Sequence, residues 1–299
     1  MGIGLLGALL WLGATGCRRE RAPLGSAENP IKMFFVPSVD AKVLEDTSAR
    51  LKVYVEKATG LSIKVGIPSS YIAVVEAFGT DRADVSILNT FGYILAHDKY
   101  GVEARLTVLR FGKPTYSGQI IARADGPIQT VADIAGKKFA FVDPASTSGY
   151  LLPMDLFKKR GIHPAETVFA NKHDNVVSMI YQRQVDAGAT FYSPPEEGVL
   201  QDARRLVLTQ YPDVADVIKI VELTESIPND PVSFRKNMPE EIKTKIVEAF
   251  LDYIQTDEGK DTFNRLYLVT GLTKATDADY DGVRELLRSL GKSAADLMQ

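Results

Sequence analysis

Apolar residues are spaced in two alternating ways along the first half of this chain. Short runs such as 31–37 are apolar and rich in β-formers, whereas stretches such as 39–60 repeat apolar residues at helical spacing and stop at Gly60. The first pattern predicts strands and the second predicts helices, with glycine as a favoured terminator. Strands are predicted at 31–37, 61–68, 83–88, 104–111 and 117–123, and helices at 39–60, 70–79 and 90–101. Repeated β-α-β units predict a parallel or mixed sheet covered by helices.

The same alternation restarts near residue 131. A small helix and a strand are predicted over 131–144, followed by a helix at 147–160 that ends at Gly161. Further strands are predicted at 167–171, 185–192 and 217–223, and further helices at 174–184 and 239–255. Two α/β lobes of comparable size explain this restart better than one very wide sheet, because each lobe can bury its own core. We therefore expect two lobes with a cleft between them.

The first 17 residues form a separate segment. Residues 1–16 carry no charge, and the run is shorter than the roughly 20 apolar residues that span a bilayer. Its length fits the apolar part of an export signal, and the sequence Ala-Thr-Gly before Cys17 resembles a bacterial lipoprotein cleavage site. We expect lipidation and membrane anchoring at Cys17. A plain secretory signal and a short uncleaved anchor are the alternatives.

Residues 18–29 are polar and contain Pro, Gly and Ser, which predicts a flexible tether before a folded body that begins near Pro30. Cys17 is the only cysteine of the chain, so no disulfide is expected in the folded body.

Charge and motifs exclude several function classes. The chain has 35 basic and 38 acidic residues, a net charge of −3, and no broad basic stripe, so nucleic-acid binding is not expected. There is no metal-ligand cluster, no Walker loop and no Gly-x-Ser-x-Gly elbow. We expect neither an enzyme nor a cofactor or metal, although His173, Asp174 and Ser146 could suggest nucleophilic catalysis. Any anion binding must come from local geometry.

The stretch 139–153, FAFVDPASTSGYLLP, is the strongest candidate for such geometry. An apolar strand leads through Asp-Pro into Ser146, Thr147 and Ser148, and then into a predicted helix. The first N–H groups of a helix lack partners within the helix and attract anions, and hydroxyls add donors without charge. The alternative is an ordinary helix cap, which explains one hydroxyl but not three.

Three other strand-to-helix turns have the same form. They are 36–40, 87–93 with Tyr93, and 171–176 with His173. In open α/β sheets ligands bind outside the carboxyl ends of strands, where all these turns lie. Each turn alone is explained by capping, but together they favour a ligand in the cleft.

These residues resemble a known family. The stretch 131–153, VADIAGKKFAFVDPASTSGYLLP, is similar to the signature of phosphonate-, phosphite- and phosphate-binding proteins of ABC importers. Segments 173–190 and 266–286 match at the expected distances, and 83–96 matches less tightly. The resemblance covers about residues 31–290.

The resemblance implies a type II periplasmic binding-protein fold with two lobes closing on a ligand. Lobe 1 is then 30–118 plus 222–299 and lobe 2 is 119–221, with crossing strands at 116–123 and 217–225. It also implies a monomer outside the cytoplasm that delivers a small oxyanion to a membrane permease without chemistry.

The resemblance further implies a set of ligand-binding residues. Ser146, Thr147 and Ser148 would grip the oxyanion, and the His173 ring would donate a hydrogen bond to it. Two tyrosines of lobe 1, Tyr71 and Tyr93, would close over the ligand. Two carboxylates, Asp186 and Asp230, would accept a hydrogen bond from a protonated oxygen or an amino group. The residues expected to bind ligand are thus Tyr71, Tyr93, Ser146, Thr147, Ser148, His173, Asp186 and Asp230.

Several alternatives stay open at this point. Asp186 could merely orient a strand, and Tyr71 could simply pack on a helix face. Thr90-Phe91-Gly92 stands where many family members have Pro and Ser before the tyrosine, so the lobe 1 wall could be reshaped. The same fold could then bind a larger or more apolar ligand for another transporter or a sensor.

Overall fold

The computed structural model describes residues 22–289, which form two lobes with one mixed sheet each. The sheet of lobe 1 has six strands in the order β11-β4-β10-β3-β1-β2. β1 runs parallel to β2 and β3, whereas β10 is antiparallel to β3 and β4, and β11 is antiparallel to β4. Their bounds are β1 Ile31–Phe35, β2 Ile63–Gly66, β3 Val85–Ile87, β4 Glu103–Leu109, β10 Pro231–Phe234 and β11 Gly271–Lys274.

The sheet of lobe 2 has five strands in the order β7-β6-β8-β5-β9. β6 runs parallel to β7 and β8, and β5 is antiparallel to β8 and β9. The bounds are β5 Thr115–Arg123, β6 Lys138–Phe141, β7 Glu166–Phe169, β8 Ala187–Tyr192 and β9 Ile218–Pro228. Both sheets are mixed and flanked by helices, as the alternating pattern predicted.

Helices cover the sheets of both lobes. α1 begins after the Asp40 side chain, which accepts hydrogen bonds from two backbone N–H groups, and it ends at the left-handed Gly60. The helices are α1 Ala41–Thr59, α2 Tyr71–Gly79, α3 Thr90–Tyr100, α4 Leu152–Arg160, α5 His173–Tyr181, α6 Val214–Val217, α7 Glu240–Tyr253, α8 Asp257–Tyr267 and α9 Asp281–Ser289. The sequence pattern predicted α1 to α5 and α7 within a few residues, and α1 and α7 bury residues at the regular spacing of one helix face.

The chain crosses between the lobes at β5 and β9. These two strands pair from Thr115 opposite Pro228 to Arg123 opposite Ile218. Both predicted crossing strands therefore exist, but each lies wholly within the lobe 2 sheet. By sheet membership the change of lobe falls before Thr115 and after Pro228, whereas the sequence prediction placed it at 118 and 222. The alternating pattern could not reveal this, because a strand reads the same in either sheet.

Residues 22–29 differ from the predicted tether. The Gly25 carbonyl accepts a hydrogen bond from Ser62 N at 2.7 Å, and the Asn29 amide donates to the Ala22 carbonyl at 2.9 Å. Leu24 packs against the lobe 1 core. Residues 22–29 therefore form a folded turn beside β2 and not the flexible tether that their polar composition predicted. Residues 18–21 of the predicted tether, the predicted signal segment 1–17 and the predicted lipidation residue Cys17 lie outside the described residues.

Lobe 1 buries a core between α1, α7, α8 and one face of its sheet. Leu44, Leu51 and Val55 of α1 are fully buried there, at the spacing that places them on one helix face. Complete burial of one such side chain stabilises the fold by about 1.5–3 kcal/mol.

Within residues 22–289, no helix combines the length and apolar character needed to cross a bilayer.

Candidate functional site

A cavity of about 70 Å³ lies between the two lobes. Its walls come from the carboxyl ends of strands in both sheets and from the loops and helix starts that follow them. Pockets for drug-sized ligands measure about 300–1,000 Å³, so this cavity suits a much smaller molecule. The lining residues are Val36, Ser38, Val39, Tyr71, Ile87, Asn89, Arg110, Tyr116, Ser146, Thr147, Ser148, His173, Phe191, Arg205, Leu206, Asp230, Arg265, Leu266, Tyr267 and Leu268.

The Ser146–Thr147–Ser148 turn forms the lobe 2 wall. It follows β6 and begins the single π-turn, Thr147–Leu151, that leads into α4. The Ser146 hydroxyl accepts a hydrogen bond from Gly149 N at 3.1 Å, so Ser146 caps the helical segment. It also lines the cavity, so the helix-cap and the ligand-site interpretations both apply to this residue. A side chain at Gly149 would meet Val142 at 2.4 Å, which explains why glycine stands there.

Thr147 connects the two lobes. Its hydroxyl oxygen accepts a hydrogen bond from Phe91 N at 2.8 Å, and the Asn89 amide donates to the Ala145 carbonyl at 2.7 Å. Phe91 and Asn89 belong to the start of α3 in lobe 1. These direct contacts hold the turn against lobe 1, so the structure is a closed arrangement of the lobes.

Tyr71 forms part of the opposite wall. It begins α2, and its backbone N donates to Asp143 of lobe 2 at 3.3 Å. Its hydroxyl is buried and has no hydrogen-bond partner among the described residues. Burial, and then the nearby Asp143, raise the pKa of this phenol well above its ordinary value, so it is a neutral donor. Helix packing explains the ring, but it leaves the hydroxyl unexplained.

Asp230 and Arg110 form a buried pair at the base of the cavity. The Arg110 guanidinium donates to Asp230 Oδ2 at 2.5 Å, to Asn229 Oδ1 at 2.9 Å and to the Tyr267 carbonyl at 2.9 Å. It also lies 5.2 Å from the centre of the Tyr116 ring. The second carboxylate oxygen of Asp230 is buried without a partner among the described residues. Oδ2 of Asp230 therefore pairs with the arginine, and Oδ1 can accept a hydrogen bond from a ligand.

The His173 ring lies in the same cavity, at the start of α5 in lobe 2. It contacts Phe191 edge-on, with ring centres 5.0 Å apart. Burial, helped by the charge of Arg110, lowers the pKa of His173 to about 3. Its Nδ1 has no partner among the described residues. The ring is therefore neutral at physiological pH and offers one donor and one acceptor.

Tyr93, which was predicted to bind ligand, does not line this cavity. Its hydroxyl donates to Asp277 Oδ1 at 2.8 Å, and its ring packs against Tyr280 with centres 4.8 Å apart. Asn89 at the start of α3 reaches the cleft, but Tyr93 lies one turn further along the helix and inside the lobe 1 core.

Asp186 also lies away from the cavity. It precedes β8, and its carboxylate accepts a hydrogen bond from Lys138 N at 2.8 Å, at the first residue of β6. This position is the amino edge of the lobe 2 strands, whereas the cavity lies at their carboxyl edge. The interpretation that Asp186 orients a strand fits the structure, and its predicted ligand contact does not.

Most of the other cavity residues were not predicted as site residues, among them Asn89, Arg110, Tyr116 and Tyr267. Asn89 was visible as part of a polar turn after a strand. Arg110 gave no such signal, because it follows β4 at a short turn and acts through partners that are about 120 residues away in sequence. Only the tertiary arrangement identifies it.

The site as a whole presents several hydrogen-bonding groups to a bound ligand. It combines hydroxyls, a neutral imidazole, a neutral phenol and a charge-compensated carboxylate, all buried. Among residues 22–289, no group of three or more potential ligands could hold a metal ion. These groups match the surface of a small oxygen-rich ligand, which accepts hydrogen bonds at several oxygens.

Two α/β lobes that are joined by a pair of crossing strands and enclose a small polar cavity define a two-lobed solute-binding protein. The family described as the periplasmic substrate-binding protein of phosphonate ABC transporters matches residues 33–280. The chain belongs to this family, so the family resemblance of the sequence is confirmed. The family is one of transporter substrate-binding proteins.

Two characterised relatives are similar in sequence. The phosphonates-binding periplasmic protein of Escherichia coli is 27% identical over 220 residues, which are 71% of this chain and 62% of that protein. The match thus spans less than two thirds of the E. coli protein. The phosphate-import protein PhnD of Mycolicibacterium smegmatis is 28% identical over 279 residues, which are 86% of this chain and 84% of that protein.

Solved structures confirm the type II periplasmic binding-protein fold. The binding-protein component of an ABC phosphonate transporter from Pseudomonas aeruginosa has a TM-score of 0.76 at 21% identity, covering 86% of this chain and 85% of its own. PhnD1 of Prochlorococcus marinus in complex with methylphosphonate has a TM-score of 0.75 at 16% identity, covering 88% of this chain and 98% of its own.

Proposed function

We propose that this protein captures a phosphonate, phosphite or phosphate-type oxyanion between its lobes and presents it to the permease of an ABC importer. One observation carries the proposal. Eight buried side-chain polar atoms have no partner among the described residues, and four of these converge on this one cavity: Tyr71 Oη, Asn89 Oδ1, His173 Nδ1 and Asp230 Oδ1. Buried polar groups are normally hydrogen-bonded, so these atoms mark where a ligand binds.

The wall opposite Tyr71 supplies further donors. Ser148 and Thr147 present hydroxyls to the same cavity, at the start of a helical segment whose N–H groups favour negative charge. Asp230 Oδ1, which has no partner, requires a hydrogen-bond donor on the ligand. It therefore favours an oxyanion that keeps one proton over a fully ionised one.

The location follows from the family. We propose that the protein works outside the cytoplasm as a monomer, anchored through a lipid on Cys17. Metabolic labelling with radioactive palmitate tests the anchor: the wild-type chain should be labelled, and Cys17→Ala should not. Labelling of both chains would overturn the proposed site of lipidation.

Calorimetric titration with phosphate, phosphite, methylphosphonate and 2-aminoethylphosphonate tests the ligand class. The chain is unfolded and refolded first to remove any ligand carried through purification. Ser148→Ala should weaken binding roughly 10- to 100-fold, because hydrogen bonds to charged groups contribute about 1.5–3 kcal/mol. Ser178→Ala, on α5 and outside the cavity, is the matched control and should bind as the wild type does.

Failure of all four compounds would overturn the proposed function. The fold would then serve another ligand, as in the alternative of a larger or more apolar molecule. The closed cavity of about 70 Å³ supports the small-oxyanion proposal over that alternative.

A further inference from the structure

Two arginines at the cavity have no role in the arrangement described above. Arg205 lies on the short 3₁₀ segment Ala203–Val207 of lobe 2, and Arg265 lies on α8 of lobe 1. They therefore approach the ligand from opposite lobes. Three arginines but only one carboxylate, Asp230, line the cavity, which leaves an excess of two positive charges.

The excess charge belongs to the mouth of the cavity rather than to its base. At the base, the only full charges are those of the Arg110–Asp230 pair, whose side chains are 10% and 12% exposed. Arg205 is half-buried and Arg265 is exposed, so both stand where the cavity opens to solvent. Leu206, Leu266 and Leu268 also line the cavity and provide apolar surface beside these arginines.

The partners of Arg205 differ from those of its neighbour. Arg204 donates to both carboxylate oxygens of Asp202 and to the Ile218 carbonyl, so its guanidinium is bound within lobe 2. The Arg205 side chain donates to the neutral amide oxygen of Gln201 at 3.1 Å. Among the described residues, neither Arg205 nor Arg265 lies within ion-pairing distance of a carboxylate.

An unpaired, partly buried cation is costly, and burial lowers the pKa of Arg205. Closure of the lobes adds a second cost, because it brings like charges toward the same opening. An anion that contacts both arginines removes both costs. It would also favour the closed state, because only that state brings the two lobes together around it.

We infer that the ligand carries a second anionic group, separated from its phosphoryl head by a short carbon linker, and that Arg205 and Arg265 bind this group. The inference rests on the proposed function, because it assigns the phosphoryl head to the base of the cavity. It names the substrate class as an anionic organophosphorus compound. It also disfavours phosphonates with an ammonium group, which would face two arginines.

The test compares compounds that differ only in the group at the mouth. Phosphonoacetate carries a second anion, ethylphosphonate carries an apolar group of similar size, and 2-aminoethylphosphonate carries a cation. Their dissociation constants are measured by calorimetry for the wild type, Arg205→Gln and Arg265→Gln. Arg82→Gln is the control, because it removes the same charge from an exposed site outside the cavity.

Phosphonoacetate should bind the wild type at least about tenfold more tightly than ethylphosphonate. Arg205→Gln should reduce that ratio by about tenfold and Arg265→Gln by about threefold, because a half-buried ion pair is stronger than an exposed one. Ethylphosphonate binding should weaken less than phosphonoacetate binding in both variants, because ethylphosphonate has no second anionic group for the arginines to bind. Arg82→Gln should leave the ratio unchanged.

Equal or weaker binding of phosphonoacetate, or tighter binding of 2-aminoethylphosphonate, would overturn the inference while leaving the proposed function intact. A preference for phosphonoacetate that survives in the double variant would also overturn it, because the arginines would then not be its cause. If no phosphonate or phosphate binds at all, the proposed function itself fails. The two failures are therefore distinguishable.

Discussion

Tyr71 and Tyr93 are both fully buried tyrosines of lobe 1, yet their hydroxyls have opposite surroundings. The Tyr93 hydroxyl donates to Asp277, which in turn pairs with Arg284, so that region is a satisfied network. The Tyr71 hydroxyl has no partner among the described residues and faces a cavity. Residue type and burial are the same in the two regions. The difference teaches that a buried hydroxyl without a partner at a cavity, not the presence of a tyrosine, indicates the ligand site.

The largest expected effect concerns acid stability and His173. Its pKa is about 3 in the folded protein, against an ordinary value near 6.5. The unfolded chain therefore binds this proton first, and stability falls as the pH drops from about 6.5 toward 3, by up to about 1.4 kcal/mol per pH unit. Urea unfolding of the ligand-free protein between pH 7 and 4 should show a shallower slope for His173→Asn.

His163→Gln is the control for that experiment, because His163 is exposed in the folded protein. It should follow the wild-type curve. Equal slopes for the wild type and His173→Asn would mean that the imidazole is not held neutral in the cavity, and the contrast between the two regions would weaken.

The second effect concerns Thr147, which joins the cavity to lobe 1. Thr147→Val leaves Phe91 N without its acceptor, at a cost of about 1–3 kcal/mol, and removes a hydroxyl from the cavity. Oxyanion affinity should fall by about 100-fold or more, measured by calorimetry. Thr224→Val is the matched control, since the Thr224 hydroxyl accepts from Gly118 N at 2.8 Å outside the cavity. It should lose stability but keep its affinity; an equal loss of affinity would assign the effect to general destabilisation.

The third effect separates affinity from stability at Tyr71. Tyr71→Phe removes a buried hydroxyl that has no protein partner, so the free energy of unfolding should stay the same or rise slightly. Affinity for the oxyanion should fall roughly 10- to 100-fold, because a hydrogen bond to a charged group is lost. A loss of stability with unchanged affinity would show that the Tyr71 hydroxyl has a partner within the protein. It would contradict the contrast drawn between Tyr71 and Tyr93.

The smallest effect is expected at Tyr93. Tyr93→Phe removes the hydrogen bond to Asp277, a half-exposed carboxylate, and should lower the free energy of unfolding by about 1 kcal/mol. Affinity should stay within about twofold of the wild type. Weaker ligand binding in this variant, with stability unchanged, would restore the role that the family resemblance implied for Tyr93.

Much of the fold could be predicted from local pattern. Helices with a regular apolar stripe and a clear stop, such as α1 ending at Gly60, are specified by neighbouring residues. The sequence pattern did not predict β10, β11, α6, α8 or α9. β10, Pro231–Phe234, is short and fully buried, and it forms a strand only because β3 and β4 pair with it from distant parts of the chain.

The candidate site divides in the same way. The Ser-Thr-Ser turn and His173 could be found from sequence, because a polar turn after a strand is a local signal and the family motif includes it. Arg110 could not, since its position depends on Asp230, Asn229 and the Tyr267 carbonyl. Tyr93 and Asp186 were predicted from the family resemblance, but neither lines this cavity, and their hydrogen bonds lead away from the cleft.

The sequence by itself therefore determined the two α/β lobes, the family and the turn that faces the cleft. Periodicity, caps and contiguous motifs act over a few residues, so they can be read along the chain. Only the tertiary structure decided which buried polar groups remain unsatisfied, where the lobes divide and which arginines lack a carboxylate. These are properties of groups brought together by folding, and no local pattern records them.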